Sequence, residues 1–343
     1  MRNVTIKDIA KELNVSIATV SRALNDKYDI KRETRDLILK TALEMGYIPN
    51  PMARKLISQR SNTIGFIVPE FINPFFHQVI MGVEKAFDGT NYQILTASSN
   101  ESVEKERERL KLMENNMVEG IVISLVNETR NIDYIQKLID KGFPIVLFNR
   151  VNEQLPVAKV IFDDYKYAFF ATEHLIEVGC RRIVHLSGPK SICLSKERIK
   201  GYADAIRKHG LPFDCNRIIE AGLLVDDGYR CMEELIERGE VPDGVFAVND
   251  FSAIGAIKAL RKHNINIPEE VAVVGFTEGI IADLIEPGLS SVRQPAEEIG
   301  MNVGQLILEQ IEEGKPNADK TIVLGGKLTI RGSSDRNKDN IKS

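Results

Sequence analysis

From about residue 61 to residue 330, short apolar runs alternate with longer amphipathic stretches, and this alternation constrains the fold more than any other feature. The runs 63–68, 92–97, 120–125, 144–148, 159–162, 182–186, 217–220, 244–248 and 271–275 read as strands. The segments 75–87, 103–115, 132–141, 165–178, 196–209, 227–238 and 252–263 read as helices. Parallel strands need a long crossover, usually a helix, so the alternation predicts parallel sheets covered on both faces. About 270 residues are too many for one compact core, which predicts two similar α/β subdomains. A helix over 295–313 follows, with Ile299, Val303, Leu306, Ile307 and Gln310 along its inner side. A last strand pair is expected over 321–330, and the charged stretch 335–343 reads as a disordered tail.

The first sixty residues have a different pattern. Thr5-x-x-Asp8 reads as a capping box, with Asp in place of Glu, ahead of Ile6, Ile9, Ala10 and Leu13 at helical spacing. Asn14-Val15 is a short turn, and Ser16 can cap a second helix. Val20, Ala23 and Leu24 form the back of that helix, while Ile17, Ala18, Ser21 and Arg22 form its front. On spacing alone, two short helices with a tight turn suit equally well a small helical domain with an ordinary polar face and a helix-turn-helix, whose second helix would lie in a major groove. There Arg22 can give two donors to guanine, and Ile17 and Ala18 can meet a thymine methyl. Thr5, Ser16, Thr19 and Ser21 suit phosphates. A third helix over 33–45 would turn Leu37, Ile38, Ala42 and Met45 inward. Asn50 and Pro51 then open a helix of about eight residues, too short to persist without a partner.

Charge agrees with this division. Residues 1–60 carry 12 Lys and Arg against 7 Asp and Glu, whereas the whole chain carries 45 against 49. A basic head on an acidic body points to a polyanion-binding module joined to a body that binds something else. The chain has no run of 18 apolar residues and no apolar leader, so neither a membrane partner nor export is expected, and its four distant cysteines fit a reducing cytoplasm.

Val15-Ser16-x-x-Thr19-Val20-Ser21-Arg22-x-Leu24-Asn25, Thr34-Arg35 and Gly46-Tyr47-x-Pro49-Asn50-x-x-Ala53-x-x-Leu56 resemble the DNA-binding head of the lactose-repressor (LacI/GalR) family. The resemblance implies a dimer whose two heads read a near-palindromic double-stranded DNA operator. It also implies paired hinge helices in the minor groove, where Leu56 wedges open a base step. Arg54 and Lys55 beside an apolar wedge suit minor-groove kinking. The DNA-contacting set thus adds Asn25, Asn50, Ala53, Arg54, Lys55 and Leu56 to the residues of the first three helices.

In an open parallel sheet, ligands bind beyond the carboxyl ends of the strands. The strands here are followed by Asn73-Pro74-Phe75, Asn149-Arg150, Asp163-Asp164, Ser187-Gly188-Pro189, Asn249-Asp250 and Phe276-Thr277-Glu278. Each alone is more often a cap or turn, but six together favour a pocket for a polyhydroxylated small molecule. The body also resembles the family's effector-binding core, shared with periplasmic sugar-binding proteins. The resemblance rests on Asn73-Pro74-Phe75-Phe76, Arg198-x-x-Gly201-Tyr202, Asn249-Asp250-x-x-Ala253, Val273-Val274-Gly275-Phe276 and Leu289-x-x-Val292-x-Gln294-Pro295. It implies a sugar-like effector held by Asn73, Phe75, Asn149, Arg150, Arg198, Leu223, Asn249 and Thr277. Two departures stand out. Thr277 replaces the family's usual Asp, leaving Glu278 as a possible substitute, and Leu223-Leu224-Val225 replaces an aromatic platform in a chain with no Trp.

The expected fold is a small all-α helix-turn-helix head plus an α/β periplasmic-binding-protein-like core of two parallel-sheet subdomains. The expected boundaries are 1–48 for the head, 49–60 for hinge helix and linker, 61–334 for the core and 335–343 for the tail. The first core subdomain is expected from about 61–160 plus 291–320, the second from about 161–290 plus 321–334. No GxGxxG follows a strand, and no P-loop, HExxH or GxSxG motif occurs, so no catalytic or cofactor reading is supported. The expected function is a dimeric transcriptional repressor released by a sugar-like effector. A corepressor-dependent regulator is the alternative within the family. A solute-binding protein is disfavoured by residues 1–60.

Overall fold

A computed structural model describes residues 4–24, 30–47, 60–126, 131–314 and 320–336. The chain divides into two compact units, 1–61 and 62–343.

In the first unit, helices α1 (Ile6–Glu12), α2 (Ile17–Leu24) and α3 (Arg32–Glu44) enclose a small core of Ile9, Ala10, Val20, Ala23, Ile38 and Ala42. The Asp8 carboxylate accepts from the Thr5 N–H at 2.8 Å and its hydroxyl at 2.7 Å, fixing the start of α1. Asn14 takes the left-handed conformation that turns the chain, and the Ser16 hydroxyl accepts from the Thr19 N–H at 3.0 Å to start α2. One expectation fails in α3. Leu37 is 53% exposed, because the inward stripe is Ile38, Thr41, Ala42 and Met45 at i, i+3, i+4 and i+7. Leu37 lies one residue before that stripe and so about 100° round the helix.

The second unit contains two six-stranded sheets. Strands β1 (Thr63–Val68), β2 (Gln93–Ser98), β3 (Gly120–Ile123), β4 (Ile145–Phe148), β5 (Ala158–Phe162) and β11 (Thr321–Leu324) form the first, in the order β11-β5-β4-β3-β1-β2, all pairs parallel. Strands β6 (Ile183–Ser187), β7 (Ile218–Glu220), β8 (Gly244–Ala247), β9 (Ala272–Thr277), β10 (Ser290–Arg293) and β12 (Lys327–Thr329) form the second, in the order β12-β10-β9-β8-β6-β7. Among the described strands, only β12 runs antiparallel to its neighbour. Central strands such as β3, β4 and β8 are buried along their whole length, as parallel strands covered on both faces must be.

Helices α4 (Pro74–Ala86), α5 (Val103–Asn115), α6 (Ile132–Asp140) and α12 (Ala296–Glu313) cover the first sheet. Helices α7 (Asp164–Glu177), α8 (Cys193–Lys208), α9 (Val225–Glu237) and α10 (Asp250–Lys262) cover the second, and the short α11 is Ile281–Leu284. The buried residues Ile299, Val303, Leu306, Ile307 and Gln310 of α12 face the first sheet, as the periodicity predicts. Helix α12 meets α4 at bare backbone: a Cβ on Gly82 would lie 2.9 Å from the Gly300 Cα.

Three sequence expectations need correction here. Ser290–Arg293 is a strand of the second sheet, where the periodicity indicates no strand and the expected boundaries put residues from 291 in the first subdomain. Its two serines are buried because they are hydrogen-bonded, Ser290 to Arg331 and Ser333, and Ser291 to Asp250. The stretch 321–330 is not one strand pair. Thr321–Leu324 joins the first sheet beside β5, and Lys327–Thr329 joins the second beside β10. Among the described strands, the chain thus passes between the sheets three times, after β5, after β10 and after β11. Finally, Asp335 and Arg336 belong to the folded unit, since the Arg336 guanidinium donates to Pro268 O at 2.7 Å and Asp243 O at 2.9 Å. None of the four cysteines forms a disulfide, and no helix of the described residues is long and apolar enough to cross a membrane.

The Gly82–Gly300 contact generates a prediction. Gly82→Val should destabilise the protein by at least about 1–3 kcal/mol, the usual cost of overpacking. The measurement is the urea midpoint, and an unchanged midpoint would show that the two helices can separate freely.

Candidate functional site

The carboxyl ends of the parallel strands of both sheets open into one cavity of about 650 Å³. All eight residues expected to face an effector line it. Asn73 and Phe75 follow β1, Asn149 and Arg150 follow β4, and Arg198 lies on α8. Leu223 follows β7, Asn249 follows β8, and Thr277 ends β9. Much of the wall is apolar, from Ile72, Phe75, Val126, Leu223, Leu224 and Phe251.

Two of the polar residues also cap helices. The Asn73 side-chain oxygen accepts from the Phe75 N–H at 3.0 Å, starting α4. The Asn249 side-chain oxygen accepts from the Ser252 N–H at 2.8 Å, and its Nδ2 donates to Leu223 O at 2.9 Å. Asn249 thereby fixes the start of α10 and the loop after β7 at once.

Arg198 is 3% exposed. Its Nε donates to Asp164 Oδ1 at 2.8 Å, its Nη2 lies 2.7 Å from the same oxygen, and its Nη1 donates to Val248 O. The guanidinium also sits 3.7 Å from the centre of the Phe276 ring, a cation–π contact. Burial pushes the Asp164 carboxyl up, and Arg198 opposes that push. Arg150 is likewise buried and donates through Nη1 and Nη2 to both oxygens of Glu101, at 2.9 and 3.0 Å. Burial pushes the neighbouring Glu70 and Glu106 carboxyls up, and Arg150 opposes both.

Glu278 does not take the place left by Thr277. Its side chain is 2% exposed and turned to Arg293 at 2.7 Å, Thr329 at 2.9 Å and Arg331. It holds the crossover after β10 and is not among the cavity residues. The turn above it has Thr277 at φ 113° and Glu278 at φ 51°, conformations that a β-branched residue and a glutamate rarely adopt. Asp250 braces this turn, accepting from Gly279 N–H at 2.8 Å and from the Ser291 hydroxyl at 2.5 Å.

Sequence reading missed Glu101, Asp227 and Gln294 on the cavity wall. Glu101 follows the carboxyl end of β2, so the strand-end rule reaches it as well. His185, on β6, is a core residue. It is fully buried, stacked on Phe246 with ring centres 4.5 Å apart, and burial lowers its pKa to about 4.

In the head, α2 presents Ile17, Ala18 and Arg22 to solvent, with Thr19 and Ser21 half-buried beside them. Thr5 and Ser16, at the starts of α1 and α2, are exposed as well. Asn25, Asn50, Ala53, Arg54, Lys55 and Leu56 lie outside the described residues.

A helix-turn-helix unit followed by two facing parallel sheets around a cavity is the layout of a DNA-binding regulator with a ligand-binding core. The profile of the bacterial regulatory proteins of the lacI family matches residues 5–50, and that of the periplasmic binding protein-like domain matches residues 172–334. The ribose operon repressor of Halalkalibacterium halodurans is 31% identical over 328 residues, covering 95% of this chain and 96% of that protein. The regulator CelR of Thermobifida fusca is 31% identical over 340 residues, covering 97% and 98%. Among solved structures, a CelR–cellobiose complex superposes with a TM-score of 0.74 at 28% identity, covering 97% of this chain and 100% of that one. The lac repressor dimer bound to operator and the anti-inducer ONPF shares the fold, with a TM-score of 0.84 at 21% identity over 97% and 99% of the two chains. The protein belongs to the lacI family of bacterial regulators and is a DNA-binding transcriptional regulator.

The Asp250 carboxyl, buried and raised to about 6, generates a prediction. In the unfolded chain an aspartate titrates near about 3.9, so between pH 4 and 6 the folded state binds the proton more tightly. The stability contributed by this protonated carboxyl is present below pH 4 and is lost as pH rises through 6. Asp250→Asn removes that titration. The stability of the wild type relative to this variant should fall by about 2–3 kcal/mol between pH 4 and 7. Denaturation of both proteins across that range checks it, and a constant difference would contradict it.

Proposed function

We propose that the protein is a repressor that binds a near-palindromic operator as a dimer and is controlled by a sugar or sugar derivative in the cavity. The observation that carries the reading is the gathering of Asn73, Phe75, Asn149, Arg150, Arg198, Leu223, Asn249 and Thr277 from both sheets onto one cavity. A ligand there touches both halves of the core. Its preference for one arrangement of the halves can then shift operator affinity by about 1–3 kcal/mol, or about 5- to 150-fold.

In the head, Arg22 reads a guanine while Ile17 and Ala18 meet a neighbouring base. Thr5, Ser16, Thr19, Ser21 and Asn25 hold the backbone. Asn50 starts the hinge helix, and Ala53, Arg54, Lys55 and Leu56 enter the minor groove. That role rests on the sequence of 49–60 and on the family. The protein acts in the cytoplasm as a regulator and not as an enzyme. This reading is supported by the regulatory role of its relatives and by the use of its cavity arginines in ion pairs.

Two predictions follow from these assignments. On an operator selected from a random DNA pool, Arg22→Ala should cost about 1–3 kcal/mol and relax the preference at one base pair. An equal loss on all sequences would make Arg22 a phosphate contact. Arg198 needs a paired substitution, because removing it alone orphans the buried Asp164 carboxylate and costs about 3–5 kcal/mol of stability. Arg198→Met with Asp164→Asn should abolish the effect of sugars on operator binding while the ligand-free protein still binds the operator. Operator release that persists in this double variant would place the effector elsewhere.

A further inference from the structure

The cavity contains two arginines, and each is already paired by the protein itself. Arg150 gives both Nη atoms to Glu101, and Arg198 gives Nε and Nη2 to Asp164. Acids outnumber the two cations on the wall, where Glu70, Glu101 and Asp227 also lie. Glu106, fully buried behind the wall, adds a carboxyl that feels Arg150.

The placement of Glu101 is itself unusual. Asn100 and Glu101 are consecutive non-glycine residues in the left-handed region, at φ 48° and 55°. Backbone strain of this kind persists only where surrounding contacts enforce it, and it clusters at ligand sites. Here the Glu101 N–H donates to Pro69 O at 2.9 Å, and the Ser98 hydroxyl donates to Asn100 Oδ1 at 2.8 Å. The turn after β2 is therefore held in the conformation that delivers the Glu101 carboxylate to Arg150. A bidentate arginine–carboxylate pair satisfies the same fork of donors that a phosphate or uronate would use.

We propose that the effector is an uncharged, hydroxyl-bearing molecule with an apolar face, such as a neutral glycoside, and that Glu101 imposes this choice by occupying Arg150. An anion entering the cavity has to displace Glu101 and then lie among the remaining carboxyls. A neutral ligand leaves the pair intact, uses the amides of Asn73, Asn149 and Gln294, and lays its apolar face on Phe75, Leu223 and Phe251. The inference rests on the cavity being the effector site.

The test measures binding of glucose 6-phosphate and inorganic phosphate to the full-length protein, by calorimetry at constant ionic strength. Wild type should bind neither in the cavity. Glu101→Gln should gain affinity for both by about tenfold or more, the value of one charge-assisted contact to a released arginine. Glu101→Gln combined with Arg150→Met should lose that gain. An anion that binds wild type and is lost in the Arg198→Met/Asp164→Asn variant would overturn the inference while leaving the cavity as the effector site. A gain in Glu101→Gln that survives Arg150→Met, or no gain at all, would equally overturn it. A sugar that alters operator binding equally in wild type and in the Arg198→Met/Asp164→Asn variant would instead overturn the cavity reading beneath it. If Glu101→Gln does not fold, the wild-type titration decides alone: no anion binding supports the inference, and anion binding lost in the Arg198 double variant refutes it.

Discussion

A parallel strand cannot return through a tight hairpin, so its carboxyl end must open into a loop that leads to a helix. In this protein that constraint operates twice, on two sheets whose carboxyl ends share one cavity. The residues that start the next helices are then the residues that face the cavity. Asn73 and Asn249 show this economy directly, since each caps a helix while lining the wall. The site therefore needs no separate scaffold, because the caps that the helices require are its polar groups.

The same economy governs charge. A buried cation left alone is costly, and both cavity arginines are ion-paired before any ligand arrives, although the buried Nε of Arg150 has no partner. Glu278, next to Thr277, is spent on Arg293 and Arg331 and so holds the crossover in place of facing the cavity. Arg293 ends β10, the last strand before the chain passes to the first sheet, and Gln294 beside it lines the cavity. The wall, the strained Thr277–Glu278 turn and one crossover are thus joined by a few hydrogen bonds.

Much of this was legible in the sequence, because apolar periodicity and strand direction are local properties. The runs over 63–68 and 244–248 are continuous and apolar, and they are strands. The rule that ligands lie beyond strand ends found Asn149, Asn249 and Thr277. Ser290–Arg293 escaped because its burial depends on hydrogen bonds to residues some forty positions away and not on apolar side chains. The membership of Thr321–Leu324 escaped because a short apolar run does not say which of two sheets it joins. Glu101 escaped because its role depends on a left-handed turn and on a partner 49 residues distant. Leu37 was misplaced by one step round a helix, an error that only the packing of Ile38 and Ala42 corrects.

The central claim is that a ligand in the cavity and operator DNA at the head share one conformational equilibrium. Linkage requires the effect to be reciprocal. The direct measurement is the affinity of a neutral sugar that binds the cavity, taken once with free protein and once with protein saturated by operator. The account predicts that operator weakens sugar binding by the same factor by which the sugar weakens operator binding, about 5- to 150-fold. Equal sugar affinity in the two states would contradict it, since a ligand that does not distinguish the states cannot move the protein between them.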